Sequence, residues 1–462
     1  MFSSNPSLHK KKTGMTSEGS SFRDPSGFIF DKNGKLFRQV NTVYFPQFDR
    51  LIKSGLYSEL VNDQLLIRHR IISKSPDKII IRPEKIPFIT YPYEWSFDML
   101  KTAALLTLQI QKVAIEHGMI LKDASAYNVQ FIGTNPIFID TLSFDIYREG
   151  QTWDAYKQFC QHFLAPLTLM SLKNLRLNLL LRDFIDGIPL ELVSQLLPQS
   201  SRFNLSLLTH IHLHSINQRR MADRRVDVRK YQMSRFQMLS LISHLENTVK
   251  SLHIGKVRTE WEKYYTFTNY TDKASEDKHC LIERFLKISQ AKSVLDLGAN
   301  NGEFSKICAQ NGAYTIACDI DPLAVNACYL DNQSNSRLLP LIIDLTNPSP
   351  ALGWANLERS AFSDRFQVDL VLALALIHHL AISNNLPFEM IAGYFSKLGK
   401  YLLIEFVPKA DSKVKILLQN RQDIFSDYSQ KSFESAFSRF YKIIDRHQVK
   451  ESKRIIYLMK RK

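Results

Sequence analysis

The stretch SVLDLGANNGEFSKICAQNGAYTIACDID, residues 293–321, decides the fold of this chain. It begins with a short apolar run, residues 293–297, of the kind that forms a buried parallel strand. A turn follows in which side chains are small or able to cap the backbone: Asp296, Gly298, Asn300 and Gly302. A helix over residues 303–310 and a second strand over residues 314–318 complete the pattern. Strand, glycine turn, helix and strand in this order predict an open α/β sheet.

The second strand delivers an acidic residue, Asp319, to the carboxyl edge of that sheet. In open α/β sheets this edge, near the first strand, is where ligands bind. A glycine turn lets a ligand approach the backbone, and a carboxylate about 20 residues further on accepts hydrogen bonds from ribose hydroxyls. The spacing therefore suits an adenosine cofactor. The alternative interpretation is a purely structural glycine turn in an ordinary α/β domain.

The turn reads D-x-G-x-N-x-G, whereas a dinucleotide site uses G-x-G-x-x-G. Asp296 would repel a pyrophosphate but suits a cationic amino-acid group, so a nicotinamide enzyme is disfavoured. The motif resembles that of the class I S-adenosylmethionine-dependent methyltransferases. This resemblance implies S-adenosyl-L-methionine as cofactor and a seven-stranded, doubly wound (Rossmann-like) sheet whose last strand is antiparallel. It also implies the residues that hold the methionine end and the ribose: Asp296, Gly298, Asn300, Gly302, Asp319 and Ile320.

The resemblance extends over roughly the last 180 residues, where further strands alternate with helices and end in a hairpin. It implies that Asp344 accepts the adenine amine and that Leu345 covers the ring. Three segments are similar to the nodulation-protein type of methyltransferase: NPSP at 347–350, ALALIHHL at 373–380 and IEFVPKAD at 404–411. That group carries a similar N-terminal half, so the resemblance covers nearly the whole chain. The resemblance does not identify the substrate of this chain.

Methyl transfer from a sulfonium is an in-line displacement, for which positioning supplies much of the acceleration. An oxygen or nitrogen acceptor also needs a base. Three candidates lie at the carboxyl edge of the predicted sheet: His378, His379 and Glu405. The alternative for the histidines is helix capping and packing. Glu405 lies in an apolar strand, where it needs a partner or a raised pKa.

A second motif occupies residues 119–144, where Asp123 and Asn128 are five apart and Asp140 ends the next predicted strand. It resembles the catalytic region of protein kinases and aminoglycoside phosphotransferases, which implies Asp123 as base and the other two as metal ligands. Leu121 replaces the usual histidine, and neither a glycine-rich phosphate loop nor an anchoring lysine stands out. We therefore favour a kinase-like lobe with a binding or scaffolding role. Active phosphotransfer and a chance match in an unrelated fold are the alternatives.

Composition describes an ordinary globular protein, 45% hydrophobic and 23% charged, with room for two or three domains. The longest apolar run, residues 368–377, is too short to span a bilayer, and no secretory signal is apparent. Five dispersed cysteines argue for a reducing cytoplasm and against zinc or disulfides. The net charge of +15 is concentrated locally, so nucleic acid is a less favoured partner. The methyl acceptor stays open: glycan, lipid, small molecule, protein or RNA.

The predicted organisation has four parts. A disordered tail (1–26) precedes an α+β kinase-like accessory domain (27–215), a basic helical linker with an aromatic segment (216–277) and the cofactor domain (278–462). In the linker, Tyr265, Asn269 and Tyr270 are expected either to form a lid over the cofactor or to pack on the sheet. The rival functions are a phosphotransferase or ATP-binding activity in the N-terminal half and a non-enzymatic scaffold.

Overall fold

The computed structural model describes residues 15–17, 19, 21–216, 232–255, 272–419 and 422–462. Most of the predicted tail (1–26) lies outside these ranges, as does most of 218–235, the part of the linker that the sequence predicts to be a basic helix. The predicted lid residues Tyr265, Asn269 and Tyr270 also lie outside them.

An antiparallel five-stranded sheet opens the described chain, with strand order β1-β2-β3-β5-β4. Its strands are β1 (Met15–Ser17), β2 (Gly27–Lys32), β3 (Lys35–Asn41), β4 (His69–Lys74) and β5 (Lys78–Pro83). Asn33 and Gly34 join β2 to β3 at φ 56° and 72°, the left-handed conformation that two-residue hairpin turns need. The apolar segments FIF and LFRQV on either side of residues 31–35 predict a hairpin here, and the structure confirms it. The sequence pattern missed β4, because every residue after His69 in that strand is exposed and the apolar alternation is lost.

Three helices follow this sheet in sequence or connect its strands. Helices α1 (Phe45–Lys53) and α2 (Leu56–Asn62) connect β3 to β4, and Gly55 separates them at φ 83°, a value that favours glycine. The long helix α3 (Phe97–Glu116) is buried over most of its length and is followed by Gly118 at φ 69°. The sequence predicts a long helix over roughly 97–117 that ends at Gly118, and a helical stretch over 45–67 that Gly55 divides in two. The structure confirms the long helix and the break at Gly55.

Two small antiparallel pairs lie after α3. Strand β6 (Met119–Leu121) pairs with β9 (Phe144–Ile146), and β7 (Val129–Ile132) forms a hairpin with β8 (Asn135–Phe138). Strand-forming residues 129–132 and 136–139 on either side of the turn at 133–135 predict this hairpin, whereas the three-residue strands β6 and β9 are too short to give a periodic signal. The segments that join these pairs carry the second motif.

The rest of the N-terminal region is helical. Its helices are α4 (Tyr156–Phe159), α5 (Ala165–Leu172), α6 (Leu180–Asp183), α7 (Leu190–Leu196), α8 (Leu205–Leu207) and α9 (Arg235–Ser251). His210 and His212 lie in a π-helical turn, and His210 contacts the Tyr156 hydroxyl (2.6 Å) and the His244 ring (2.7 Å). Within the described ranges, no group of three or more His, Cys, Asp or Glu residues is arranged to hold a metal ion.

The C-terminal half is built on a seven-stranded sheet with strand order β12-β11-β10-β13-β14-β16-β15. The strands are β10 (Ser293–Leu297), β11 (Tyr314–Asp319), β12 (Leu338–Ile342), β13 (Val368–Ala373), β14 (Gly399–Phe406), β15 (Tyr441–Gln448) and β16 (Ile455–Arg461). Strands β10 to β14 are parallel, and β16 is antiparallel to both of its neighbours. The carboxyl ends of five strands therefore meet at one edge. The chain is a mixed α/β protein, as predicted.

Helices pack on both faces of this sheet. They are α10 (Asp272–Ser289), α11 (Glu303–Gln310), α12 (Pro322–Leu330), α13 (Phe362–Arg365), α14 (Phe388–Leu398), α15 (Ser412–Gln419) and α16 (Gln430–Ser438). Val294 belongs to a hydrophobic cluster with α10, whereas Leu295 points to the other face. That second face belongs to a cluster that continues into the core of the N-terminal region, including α3. Among the described helices, none has the length and apolar character needed to cross a bilayer.

The two halves are also joined by buried polar contacts. Arg365 forms an ion pair with Glu94, whose side chains are 4% and 2% exposed, and the guanidinium stacks on Tyr91 with its carbon 4.2 Å from the ring centre. Asn326 and Asp98 exchange two hydrogen bonds of 2.8 and 2.9 Å. The sequence pattern predicted none of these contacts, because the partners are more than 220 residues apart.

The β7–β8 hairpin docks directly on the C-terminal sheet. The Gly133 amide donates to the Tyr314 hydroxyl (2.9 Å), and the Thr134 amide donates to the Asn335 carbonyl (2.9 Å). A Cβ added to Gly133 would lie 2.0 Å from the Asn335 carbonyl oxygen. Close approach of two backbones therefore requires glycine at this turn.

Candidate functional site

The glycine turn after β10 lies at the carboxyl edge of the parallel strands. Gly298 adopts φ 76°, and its amide donates to the carbonyl of Cys318 on the neighbouring strand (2.8 Å). Gly302 adopts φ 80° at the start of α11, and a Cβ there would lie 2.4 Å from the Cys328 sulfur. Both glycines are required by backbone conformation, and the second also by close packing.

Asp319 connects this turn to the second strand. Its Oδ2 accepts a hydrogen bond from the Asn300 amide (2.7 Å), and its Oδ1 accepts one from the Asp321 amide (2.9 Å). Burial raises the pKa of Asp319, and these backbone donors oppose that rise. The structure therefore brings Asn300 and Asp319 together, as the spacing of the motif predicts.

Asp296 lies deeper, at the end of β10, and is only 2% exposed. Its Oδ2 accepts a hydrogen bond from the Ser305 hydroxyl (2.6 Å). Burial raises the pKa of Asp296 to about 7, and the nearby Asp319 carboxylate adds to the rise, against the effect of Ser305. Asp296 and Asp319 lie in a site from which water is largely excluded, so the two carboxyl groups together favour a cationic ligand.

Asp344 follows β12, the next strand along the edge. Its Oδ1 accepts hydrogen bonds from the Thr346 amide (2.8 Å) and hydroxyl (2.6 Å). Ile320, after Asp319, is 38% exposed, whereas Leu345 is half-buried against the core. Ile320, Ile343 and Asp344 line a common cavity, from which Leu345 is absent. The predicted cofactor residues thus follow the tips of three adjacent strands.

Glu405 lies on β14 and is fully buried. Its carboxylate accepts hydrogen bonds from the Lys278 ammonium (2.8 Å) and from the Ala375 amide (2.8 Å), and Arg454 lies 3.7 Å away. Ala375, in the loop after β13, has φ 48°, a strained value for a residue other than glycine. This geometry favours a positioning role for Glu405, which fixes that loop, over the predicted role as a base.

The two histidines after β13 differ in accessibility. His378 is fully buried, and within the described part of the chain neither ring nitrogen has a hydrogen-bond partner. His379 is half-buried, with its ring centre 4.2 Å from that of His378. Burial lowers the pKa of both, to about 4 for His379, and Arg454 contributes to each shift. Both rings are therefore neutral near pH 7, and His379 is the better placed of the two to meet a ligand.

The chain is similar over almost its whole length to one curated protein. The nodulation protein NoeA of Rhizobium meliloti (strain 1021) is 35% identical over 460 residues, covering 96% of this chain and 95% of the relative. The chain belongs to the NoeA family. This confirms the predicted relationship to nodulation proteins, and no protein-family model matches the chain.

Comparison of the NoeA-family chain with solved structures gives partial overlaps. The N-methyltransferase NodS from Bradyrhizobium japonicum WM9 is 11% identical and covers 41% of this chain and 97% of its own, with a TM-score of 0.32. The bifunctional kinase-methyltransferase WbdD is 14% identical and covers 44% of this chain and 43% of its own, with a TM-score of 0.30. Scores this low carry no argument about fold or function.

The second motif of this NoeA-family chain forms a connected cluster. The Asn128 amide donates to the Ser143 hydroxyl (3.2 Å), which donates to Asp140 Oδ2 (2.7 Å). Burial raises the pKa of Asp123, and the nearby Asp140 carboxylate raises it further. A hydrogen bond between the Asn128 side chain and Asp123 opposes this rise. The three predicted residues Asp123, Asn128 and Asp140 are thus brought together.

An arginine that the sequence analysis did not single out occupies this cluster. Arg38 on β3 is 8% exposed and forms a direct ion pair with Asp140 Oδ1. Although burial opposes ionisation, Arg38 holds the pKa of Asp140 below its usual value. A positive side chain therefore stands where the kinase resemblance implies a magnesium ion. The sequence signal for this arginine is its position two residues before the buried Val40. Because side chains alternate along a strand, residue 38 lies on the same buried face of β3 as Val40, where a charged side chain is unusual.

Proposed function

We propose that this protein is a cytoplasmic S-adenosylmethionine-dependent methyltransferase whose cofactor domain spans residues 278–462. The acceptor is unidentified, and a glycan, a lipid, a small molecule, a protein or RNA would be compatible with it. The observation that carries the proposal is the shared edge on which Asp319 accepts a hydrogen bond from the glycine turn, with Asp296 and Asp344 at the adjacent strand ends.

The residues at this edge fit the cofactor in charge as well as position. Asp296 lies at the base of the turn, where its carboxylate would pair with the ammonium of the methionine moiety. Gly298 would let the ligand approach the backbone, because glycine carries no side chain and its φ of 76° disfavours any other residue there. Asp319 would accept hydrogen bonds from the ribose, and Asp344 from the adenine amine.

S-adenosylmethionine, when bound, supplies an electrophilic methyl group on a sulfonium. The task of this chain is then to align an acceptor and to remove its proton where the acceptor is an oxygen or nitrogen. We propose that Glu405 acts by positioning the loop after β13 through the Ala375 amide. His379 is neutral near pH 7 and is our proposed proton acceptor, with His378 packed behind it.

The proposal is tested by calorimetry with S-adenosylhomocysteine, the demethylated product form of the cofactor. We expect the original protein to bind, and Gly298→Arg and Asp319→Ala to lose binding while far-ultraviolet circular dichroism is unchanged. Gly34→Ala, in the distant hairpin turn with nothing within 4 Å of its added Cβ, is the matched control and should bind normally. Equal affinity in all four proteins would refute the proposal. Incubation with labelled cofactor and fractionated cell extract then shows which class of molecule gains the label.

Phosphotransfer by the N-terminal half is the less favoured function. The ion pair between Arg38 and Asp140 blocks the carboxylate that would hold magnesium, and breaking a buried pair costs roughly 3–5 kcal/mol. We therefore propose that the kinase-like region serves the cofactor domain structurally.

A further inference from the structure

Lys278, on α10, carries a buried charge that the proposed cofactor contacts do not use. The residue is 1% exposed, and its ammonium donates a hydrogen bond to Glu405 Oε2 (2.8 Å). Burial lowers the pKa of Lys278, whereas the Glu405 carboxylate raises it. Replacing a buried ion pair with apolar residues is often neutral or stabilising. Stability alone therefore gives little reason to bury this pair.

The carboxylate that Lys278 pairs with also holds the loop after β13. The same Oε2 atom of Glu405 accepts a hydrogen bond from the Ala375 amide (2.8 Å). Ala375 has φ 48°, in the left-handed region, which a residue with a Cβ populates roughly tenfold less than the right-handed one. The hydrogen bond from Ala375 to Glu405 therefore acts against the intrinsic preference of the loop.

The residue after Ala375 contacts the glycine turn. A Cβ built on Gly298 would lie 3.3 Å from Leu376 Cδ1, so the Leu376 side chain packs against the backbone of that turn. The Leu376 carbonyl accepts a hydrogen bond from the amide of His379 (3.0 Å), our proposed proton acceptor. The conformation of Ala375 therefore affects both the packing of the glycine turn and the placement of His379.

Lys278 also contacts the helix that follows the glycine turn. Its ammonium lies 5.7 Å from the ring centre of Phe304, in the first turn of α11, within the range of a cation–π interaction. The neighbouring His279 Nε2 lies 2.9 Å from Glu303 Oε1, on the same turn. One stretch of α10 thus connects the start of α11 with Glu405 on β14.

A second cation, Arg454 on β16, lies 3.7 Å from Glu405 Oε1. Its guanidinium forms two hydrogen bonds with the Asp411 carboxylate, at 2.7 and 3.1 Å. Paired in this way, Arg454 compensates Asp411 more closely than Glu405. Lys278 is the cation that bonds directly to the Glu405 oxygen holding Ala375.

We propose that Lys278 is a positioning residue for cofactor binding. By pairing with Glu405 it keeps that carboxylate ionised and aimed at the Ala375 amide, which fixes Leu376 against the glycine turn. Lys278 does not contact the cofactor and acts through Glu405. This inference rests on the proposed function, and it adds a residue on α10, away from the ends of the parallel strands.

The test compares Lys278→Met with Arg38→Met by calorimetry with S-adenosylhomocysteine. Arg38 is 8% exposed and pairs with Asp140 in the N-terminal region, so each variant leaves a buried carboxylate without its cation. Both should unfold at lower urea concentration. We expect about tenfold weaker binding for Lys278→Met, because a protonated Glu405 holds Ala375 less well, and unchanged binding for Arg38→Met.

Rescue at the loop distinguishes positioning from a loss of stability. Glycine adopts positive φ without the penalty of a Cβ, so adding Ala375→Gly to Lys278→Met should restore affinity to within about threefold of the original. Hydrogen exchange of the free proteins gives a second measure. In Lys278→Met the amides of residues 374–378 should exchange faster, while those of β13 stay protected.

If Lys278→Met does not fold, Lys278→Met/Glu405→Gln replaces it, because this variant keeps neither charge of the pair. The same loss of affinity and the same rescue by Ala375→Gly are expected. Original affinity without Lys278, an equal loss in Arg38→Met, or no rescue would overturn this inference and leave the proposed function standing. Absence of binding by the original protein would instead refute the proposed function, and this inference with it.

Discussion

Cofactor binding should depend on pH through Asp296. Burial places the pKa of this carboxyl at about 7 in the free protein, so it is mostly protonated at about pH 6 and mostly ionised at about pH 8. A ligand ammonium pairs only with the ionised form. The ionised fraction rises about tenfold over this interval, so the affinity for S-adenosylhomocysteine should also rise about tenfold.

The same carboxyl should affect stability in the opposite direction. Its pKa is about 7 when folded and 3.8 when unfolded, so the folded state binds the proton more tightly. The stability that this provides is present below about pH 4 and is lost as the pH rises to about 7. A shift of roughly 3 units corresponds to about 4 kcal/mol, which Asp296→Asn should recover near pH 8.

Calorimetry at several pH values, with urea unfolding of both proteins, checks this reasoning. Asn keeps an acceptor for the Ser305 hydroxyl but does not titrate. Titration of the ligand's own amine is common to both proteins and cancels in the comparison. Affinity independent of pH in the original protein, or equally dependent on pH in Asp296→Asn, would show that this carboxyl does not hold the ammonium.

Three further predictions concern the N-terminal half and its junction. Arg365→Met leaves Glu94 buried without its cation and should lower the free energy of unfolding by about 3–5 kcal/mol in urea; a loss below about 1 kcal/mol would contradict the described burial of the pair. Gly133→Ala should destabilise by more than Gly34→Ala, because both have positive φ but only the first would clash with a facing backbone; equal unfolding midpoints would count against the docked hairpin. Because Arg38 is paired with Asp140, magnesium-ATP should leave the unfolding temperature of the original protein unchanged, whereas Arg38→Ala should gain magnesium binding. A rise in the unfolding temperature of the original protein with magnesium-ATP would favour the phosphotransferase function.

The strands and the glycine turn of the C-terminal half could be predicted from sequence because their signals are local. Residues 293–297 are almost wholly buried and correspondingly apolar, and Gly298 and Gly302 are fixed by positive φ. The short strand β6 escaped prediction, because three residues carry no usable period.

The remaining features depend on residues far apart in the chain. Lys278 neutralises Glu405 across 127 residues, and nothing near either position marks the pair. Tyr93 and Asn178 line one cavity with Asp344 because the two halves dock on each other, and no periodicity in the sequence encodes that docking. Roles of this kind follow only from tertiary structure.

The hydrophobic core that runs from α3 into one face of the seven-stranded sheet bears on how such a protein can diversify. A gene crossover that replaced one half alone would combine Glu94 from one ancestor with residue 365 from another. Because this contact between the halves is buried, any mismatch of charge or volume there would also be buried. Such hybrids would have to preserve charge, volume and the Gly133 turn at once. The two halves are therefore expected to be inherited as a single block, and substitutions at the boundary should occur as matched pairs.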